Sequence, residues 1–146
     1  MEPTLKEKSL EPALSSEKTT AENVSAAATA MDDRVRAALV AALDKKAVNP
    51  IVLDIHELTS FTEFFLITNG TNVRQVQAIS DGIAEELRKT GSRPVRVEGY
   101  NTAEWILMDY GDFIVHIFEE KAREFYDLER LWRDARRVAL PDGIKN

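Results

Sequence analysis

The sequence contains no cysteine. That removes disulfides, thiolate nucleophiles, zinc–cysteine sites and iron–sulfur ligation together. Imidazole is nearly as scarce, with only His56 and His116. Positive charge is in deficit: 19 Lys and Arg stand against 25 Asp and Glu, a formal charge of -6. A chain that grips bare nucleic acid through its phosphates usually shows the opposite balance, so nonspecific nucleic-acid binding is marked down first. No apolar run approaches the ~20 residues needed to span a bilayer. The start lacks the basic-then-apolar layout of a secretion signal. Residues 1–30 also carry five Glu and three Lys without Arg, unlike a mitochondrial transit peptide. The expectation is a soluble, cytoplasmic protein without a membrane partner. Glycine-rich phosphate loops are missing as well, since neither G-x-x-x-x-G-K-[ST] nor G-x-G-x-x-G occurs.

What is present is enough apolar material, 44% of 146 residues, for one packed domain. Residues 1–31 differ from the rest, with Ser, Thr, Ala, Glu and two Pro, no aromatic residue and few large aliphatics. Such a segment buries too little to offset its ordering entropy and reads as a disordered tail. The domain is expected over residues 32–140, followed by a short tail at 141–146.

Asp32-Asp33 is a plausible helix start, and Val35, Leu39, Ala42 and Leu43 recur at helical spacing until Asn49-Pro50 stops them. Ile51–Ile55 and Phe64–Thr68 read as buried strands. Asn69-Gly70 breaks the second, and Thr71 or Asn72 caps a long helix marked by Val73, Val76, Ile79, Ile83 and Leu87, with Gly91 at its end. Pro94–Glu98, Trp105–Asp109 and Phe113–Phe118 read as three more strands, the last two joined by a tight turn at Tyr110-Gly111-Asp112. A final helical stretch starts at Glu119-Glu120 and runs through Phe125, Leu128, Leu131 and Trp132. The order α-β-β-α-β-β-β-α predicts an α/β fold, a mixed five-stranded sheet with helices packed on it.

Few residues suggest chemistry. Gly70-Thr71 lies between a strand and a helix, where free N–H groups hold phosphate, but one Gly is also the ordinary way out of a strand. Asp109 and Asp112 offer oxygen ligands to a metal, yet they sit three apart across a turn and share no fixed face. His116 lies mid-strand among apolar residues and reads as a core histidine; His56 is weaker still as a base. Trp105, Leu107 and Asp109 share one strand face, and Ile106, Met108 and Tyr110 the other. A face with Trp at one end and Asp at the other suits a protein-binding surface, where Trp is a favoured anchor. It equally suits a Trp that closes the core at a sheet edge, and spacing alone leaves the two readings even.

Asp54 ending the first strand is followed by Phe61-Thr-Glu-Phe-Phe65, Gly70-Thr71, Arg74-Gln75, Val97-Glu98-Gly99 and Ala103-Glu104-Trp105. Asp109-Tyr-Gly-Asp112, Val115-His116 and Tyr126-Asp-Leu-Glu-Arg-Leu-Trp132 complete the series. This ordered set, from about Asp32 to Trp132, resembles the Iojap family, the bacterial ribosomal silencing factors and their organelle relatives. Glu63 stands where the family more often has Asp, which keeps the charge. The resemblance implies a fold related in outline to nucleotidyltransferases but without their catalytic carboxylate pair, hence no enzyme, cofactor or metal. It implies docking on the large ribosomal subunit through its protein fourteen, which blocks joining of the small subunit and represses translation when nutrients are short. It also implies a homodimer off the ribosome, with little direct nucleic-acid binding. Carried over by motif, Trp105 is the apolar anchor and Asp109 its charge partner, with Leu107 and Met108 as packing neighbours. The main alternative is a nucleotide-binding or nucleotidyl-transfer enzyme using Gly70-Thr71 for phosphate and Asp109 with Asp112 for metal. A dimeric adaptor without a ribosomal role is the third reading.

Overall fold

The computed structural model describes residues 31–141. The expected tails at 1–31 and 141–146 therefore lie outside it, apart from Pro141 and Met31. Met31 is only 8% exposed and belongs to the main core. Helix α1 (Asp33–Asp44) begins as expected: the Asp32 carboxylate accepts the Arg34 N–H at 2.7 Å. That supplies one of the acceptors a helix start lacks. Val35, Ala38, Leu39 and Ala42 form its buried stripe.

Strand β1 (Val48–Asp54) runs through Asn49-Pro50, the pair expected only to stop the preceding helix. The pairing register shifts between Val48 and Ile51, and Asn49 takes a positive φ of 47°. Proline has no N–H to give a ladder, so it is tolerated where a bulge removes the need for one. Strand β2 (Phe64–Gly70) pairs antiparallel with β1 and is buried along its whole length. At the start of helix α2 (Val73–Arg88), Asn72 Oδ1 accepts from the Gln75 N–H at 2.8 Å. Gln75 Nε2 reaches across to the carbonyls of Lys45 and Lys46 at the end of α1, so the two helices are fastened end to end.

The short edge strand β3 (Arg96–Glu98) leads to β4 (Trp105–Asp109) and β5 (Phe113–Glu119), joined by the tight turn read from Tyr110-Gly111-Asp112. β5 pairs parallel with β2, and every other pairing is antiparallel. The sheet has six strands in the order β3-β4-β5-β2-β1-β6, one more than expected. The addition, β6, is just Arg136–Arg137 opposite Asp54 and Leu53. Two arginines carry no apolar alternation to announce a strand. This one is held by an ion pair from Arg136 to Glu57 at 3.4 Å and by the Val138 N–H donating to the Val52 carbonyl.

Alternation divides the strands cleanly. Phe64, Leu66, Ile106, Met108, Phe113, Val115 and Ile117 meet α1 and α2 on one face. Phe65, Ile67, Leu107, Ile114 and Phe118 point to the other. That second face is covered by the C-terminal segment, where the expected single helix is two: α3 (Glu120–Tyr126) and α4 (Leu128–Leu131). Asp127 breaks them with a left-handed backbone (φ 48°, ψ 53°). Asp tolerates this conformation better than most side chains, which is why no Gly or Pro marks the break. Leu128 and Trp132 go into the sheet, with Trp132 edge-on to Phe65 at 5.1 Å between centroids. α3 buries no residue of its own. It is tied down by Arg123, whose guanidinium donates to Asn69 Oδ1 at 2.9 Å and pairs with Glu129 at 2.8 Å.

Two glycines with positive φ separate backbone strain from close approach. Gly91 (φ +86°) has open space where a Cβ would stand, whereas at Gly99 (φ +81°) that Cβ would collide with the backbone carbonyl of Trp105. Gly91→Ala should lose about 1 kcal/mol, the conformational term alone. Gly99→Ala should lose at least ~2 kcal/mol, because backbone must also move. Urea unfolding of the two variants measures the difference, and equal losses would mean the Gly99 turn yields freely.

Candidate functional site

Trp105 stands at the first position of β4, directly across from Phe118 in β5 and diagonal to His116. Diagonal cross-strand neighbours lie within reach of long aromatic side chains. The Trp105 ring meets Phe118 at 5.0 Å and His116 at 5.9 Å between centroids, and Tyr126 of α3 covers it at 4.9 Å. It remains half-buried, packed against the second core cluster with its remaining surface outward. Both readings left open by spacing thus describe part of it: Trp105 closes the core and also faces solvent.

Beside it lies an extension whose outermost residue, Phe125, sequence reasoning missed. Tyr126 is 39% exposed, and Phe125, edge-on to Tyr126 at 5.0 Å, is 80% exposed. An aromatic series runs from buried Phe118 through Trp105 and Tyr126 to Phe125 at the surface. Glu104, Glu120 and Glu124 are exposed near it in the chain. Helical spacing alone would place Phe125 on the apolar stripe with Leu128 and Trp132. The break at Asp127 rotates it off that stripe, so only the three-dimensional position reveals it.

The other expected residues are placed differently. Leu107 is 2% exposed and lies in the core under Trp105's face; Met108, 1% exposed, points to the opposite face and touches Ser80 of α2. Both support β4 from within and neither reaches the surface. Asp109, at the far end of the strand, is partly exposed. Its Oδ1 accepts the Gly111 N–H at 2.8 Å and its Oδ2 stands 3.5 Å from the Arg96 guanidinium. It therefore offers a negative charge at the rim while shaping the turn.

The residues of the nucleotidyl-transfer alternative are engaged elsewhere. The Thr71 N–H donates to Gln75 Oε1 at 2.7 Å, and Asn72 takes the Gln75 N–H, so side chains fill the positions a phosphate would need. Asp112 pairs with Arg34 at 2.6 Å while Asp109 faces Arg96. The two carboxylates belong to separate ion pairs, and the described residues hold no cluster of three potential metal ligands. His56 receives a partner its sequence position did not suggest: its Nδ1 lies 2.6 Å from the buried Asp54 carboxylate. Its Nε2 side faces Glu57 at 3.7 Å, and Glu57 in turn holds Arg136. This network fastens the edge of the sheet.

His116 is fully buried, as a core histidine should be. Its Nδ1 accepts the Trp105 indole N–H at 3.1 Å, while Nε2 has no hydrogen-bond partner. Its ring neighbours are Phe65, Trp105 and Phe118, and burial among them pushes its pKa from 6.5 down to about 3. Burial likewise raises the Tyr110 hydroxyl to about 12. For His116 the linkage sign is clear: below pH 6.5 the unfolded chain takes a proton that the native state refuses until about pH 3. Stability is therefore lost as pH falls through that window, by up to ~1.4 kcal/mol per unit. Urea unfolding from pH 7 to pH 5 should show the wild type losing about 2 kcal/mol more than a folded His116→Phe variant. Parallel losses would contradict a histidine held neutral in the core.

Comparison with known proteins gives the family. The model for "Ribosomal silencing factor during starvation" matches residues 18–146, beginning within the segment read as a tail. A ribosomal silencing factor of Halalkalibacterium halodurans is 40% identical over 101 residues, 69% of this chain and 86% of that protein. That of Bacillus subtilis is 36% identical over 110 residues, 75% of this chain and 93% of the relative. A crystal structure of a Chromobacterium violaceum protein superposes with a TM-score of 0.68 at 30% identity, covering 79% of this chain and 95% of that one. The order of motifs from Asp54 to Trp132, the mixed sheet and the family match over residues 18–146 agree, and the chain belongs to the ribosomal silencing factor family.

Proposed function

We propose that this protein represses translation by binding, without catalysis. It docks on the large ribosomal subunit through protein fourteen and sterically prevents the small subunit from joining when nutrients are limiting. Off the ribosome it forms a homodimer, and it works in the cytoplasm. The observation that carries the docking surface is Trp105, held half-exposed at the end of β4 beside exposed Tyr126 and Phe125. The relatives' names supply the ribosome, and the net charge of -6 favours a basic ribosomal protein over bare RNA as the contact. The described residues include no helix long and apolar enough to cross a membrane.

In this reading Trp105 fills an apolar pocket on the partner, while Asp109, roughly 13 Å along the strand at the usual rise, meets a Lys or Arg. Leu107 and Met108 keep the strand in place beneath them. Truncating a central aromatic anchor commonly loses at least ~2 kcal/mol of binding, a factor of about 30. Trp105→Ala should accordingly abolish co-sedimentation with purified large subunits at modest concentration, and wild-type binding should weaken as salt rises. Asp109→Asn keeps an acceptor for the Gly111 N–H and removes only the charge, so it should weaken binding by about tenfold and flatten the salt dependence. A folded Trp105→Ala protein that still co-sediments at full strength would sink this surface.

A further inference from the structure

His116 is harder to explain as a core residue than its burial suggests. An indole N–H donates and never accepts. For Trp105 Nε1 to bond His116 Nδ1 at 3.1 Å, that nitrogen must carry a lone pair, so the proton of the neutral ring sits on Nε2. Nε2 is buried and has no acceptor. Its surroundings are the rings of Phe65, Trp105 and Phe118. A Phe or Leu would fill this apolar site without leaving a donor stranded, and buried polar groups in native proteins are otherwise almost always paired. The single thing the imidazole supplies here, and an apolar side chain does not, is an acceptor beneath Trp105.

We propose that His116 is the positioning residue of the docking surface: it ties down the Trp105 indole N–H so that the ring meets a partner in one fixed orientation and as a purely apolar contact. The inference rests on the reading of Trp105 as the anchor. Two consequences follow. The ring's orientation is set before binding, so little of its conformational freedom is lost on docking. The N–H, the only polar group of the indole, is already satisfied inside the protein, so the partner's pocket needs no acceptor for it. A pocket that places a carbonyl or carboxylate against the ring gains nothing from Trp105, which makes the hydrogen bond a specificity device as well as a brace.

The test separates the brace from the anchor. In wild-type protein, nitrogen-15 NMR of the imidazole should show the Nε2–H tautomer, and the Trp105 indole proton, assigned with Trp105→Phe, should exchange slowly with solvent. A protonated Nδ1 would overturn the proposal without any variant. His116→Phe removes the acceptor and keeps an aromatic ring. It should speed exchange of the Trp105 indole proton and weaken binding to purified large subunits by about tenfold. His116→Asn, whose Oδ1 can stand where Nδ1 stood, should restore slow exchange and bring affinity back within about threefold of wild type. A merely structural histidine predicts instead that Phe, the better filler, binds as well as or better than Asn. If His116→Phe folds and binds like wild type while Trp105→Ala does not, the positioning role fails and the anchor stands. If Trp105→Ala binds fully, the anchor itself fails and His116 has no docking role to serve.

Discussion

The parallel pairing of β2 with β5 at the centre of the sheet is the constraint from which the rest follows. Both strands are apolar on both sides, as internal parallel strands usually are, so the sheet needs a cover on each face. The chain provides one full layer, α1 with α2, over the first face. The second receives Leu58 and Phe61 from the β1–β2 connection and, after β5, only a short helix with no buried residue, a one-turn helix and the side chains of Leu128 and Trp132. Phe65, Ile67, Leu107, Ile114 and Phe118 leave this thin layer no choice but to fold back over them.

A thin cover explains where the surface aromatics sit. α3 gains nothing from a buried stripe, so polar links hold it: Glu119 caps its N-terminus, and Arg123 spans from Asn69 to Glu129. With its path fixed by those links, Tyr126 closes over Trp105 and Phe125 is left outside. Large aromatic side chains at a sheet edge are usually swallowed by a helix layer. Here there is too little layer to swallow them, and the same shortage that weakens the cover creates an apolar surface.

The legible parts of the fold were those set by local rules. Asp32 and Asn72 cap the two long helices, the apolar spacing of each helix places its stripe, and the Tyr110–Asp112 turn fixes the register of β4 against β5. The alternation that put Trp105 and Leu107 opposite Met108 is the one the sheet displays. What escaped were features set by distant partners. β6 exists because Glu57 and Val52 lie beside Arg136 and Val138; the break at Asp127 exists because α3 and α4 serve different neighbours; Met31 is buried because it joins the helix-covered core. Of the site, Trp105 and the rim position of Asp109 were readable from one strand. Phe125 was not, because its exposure depends on a backbone reversal that Asp127 adopts without a sequence signal. The Trp105–His116 bond was half readable: the turn register makes the two residues diagonal neighbours, but a diagonal does not say which nitrogen is bonded.

The distribution of imperfect contacts separates the two faces in kind. Three buried polar atoms lack partners among the described residues: the Tyr110 hydroxyl, His116 Nε2 and Trp132 Nε1. Tyr110 belongs to the helix-covered core, stacked on Phe113 near the turn. The other two lie on the thin face, where the side chains in question are the ones that hold Trp105 and the C-terminal segment. A core selected for stability alone would replace both with apolar rings, since removing a stranded donor and keeping the packing is close to free energetically. Trp132 stands edge-on to both Phe65 and Phe61, so its ring joins the sheet face to the β1–β2 connection. His116 differs in that its Nδ1 accepts the Trp105 indole N–H, the contact on which its proposed positioning role rests. Two of the three unpartnered buried atoms of the described residues thus lie under the thinner cover, next to the aromatic series that reaches the surface, and not in the helix-covered core.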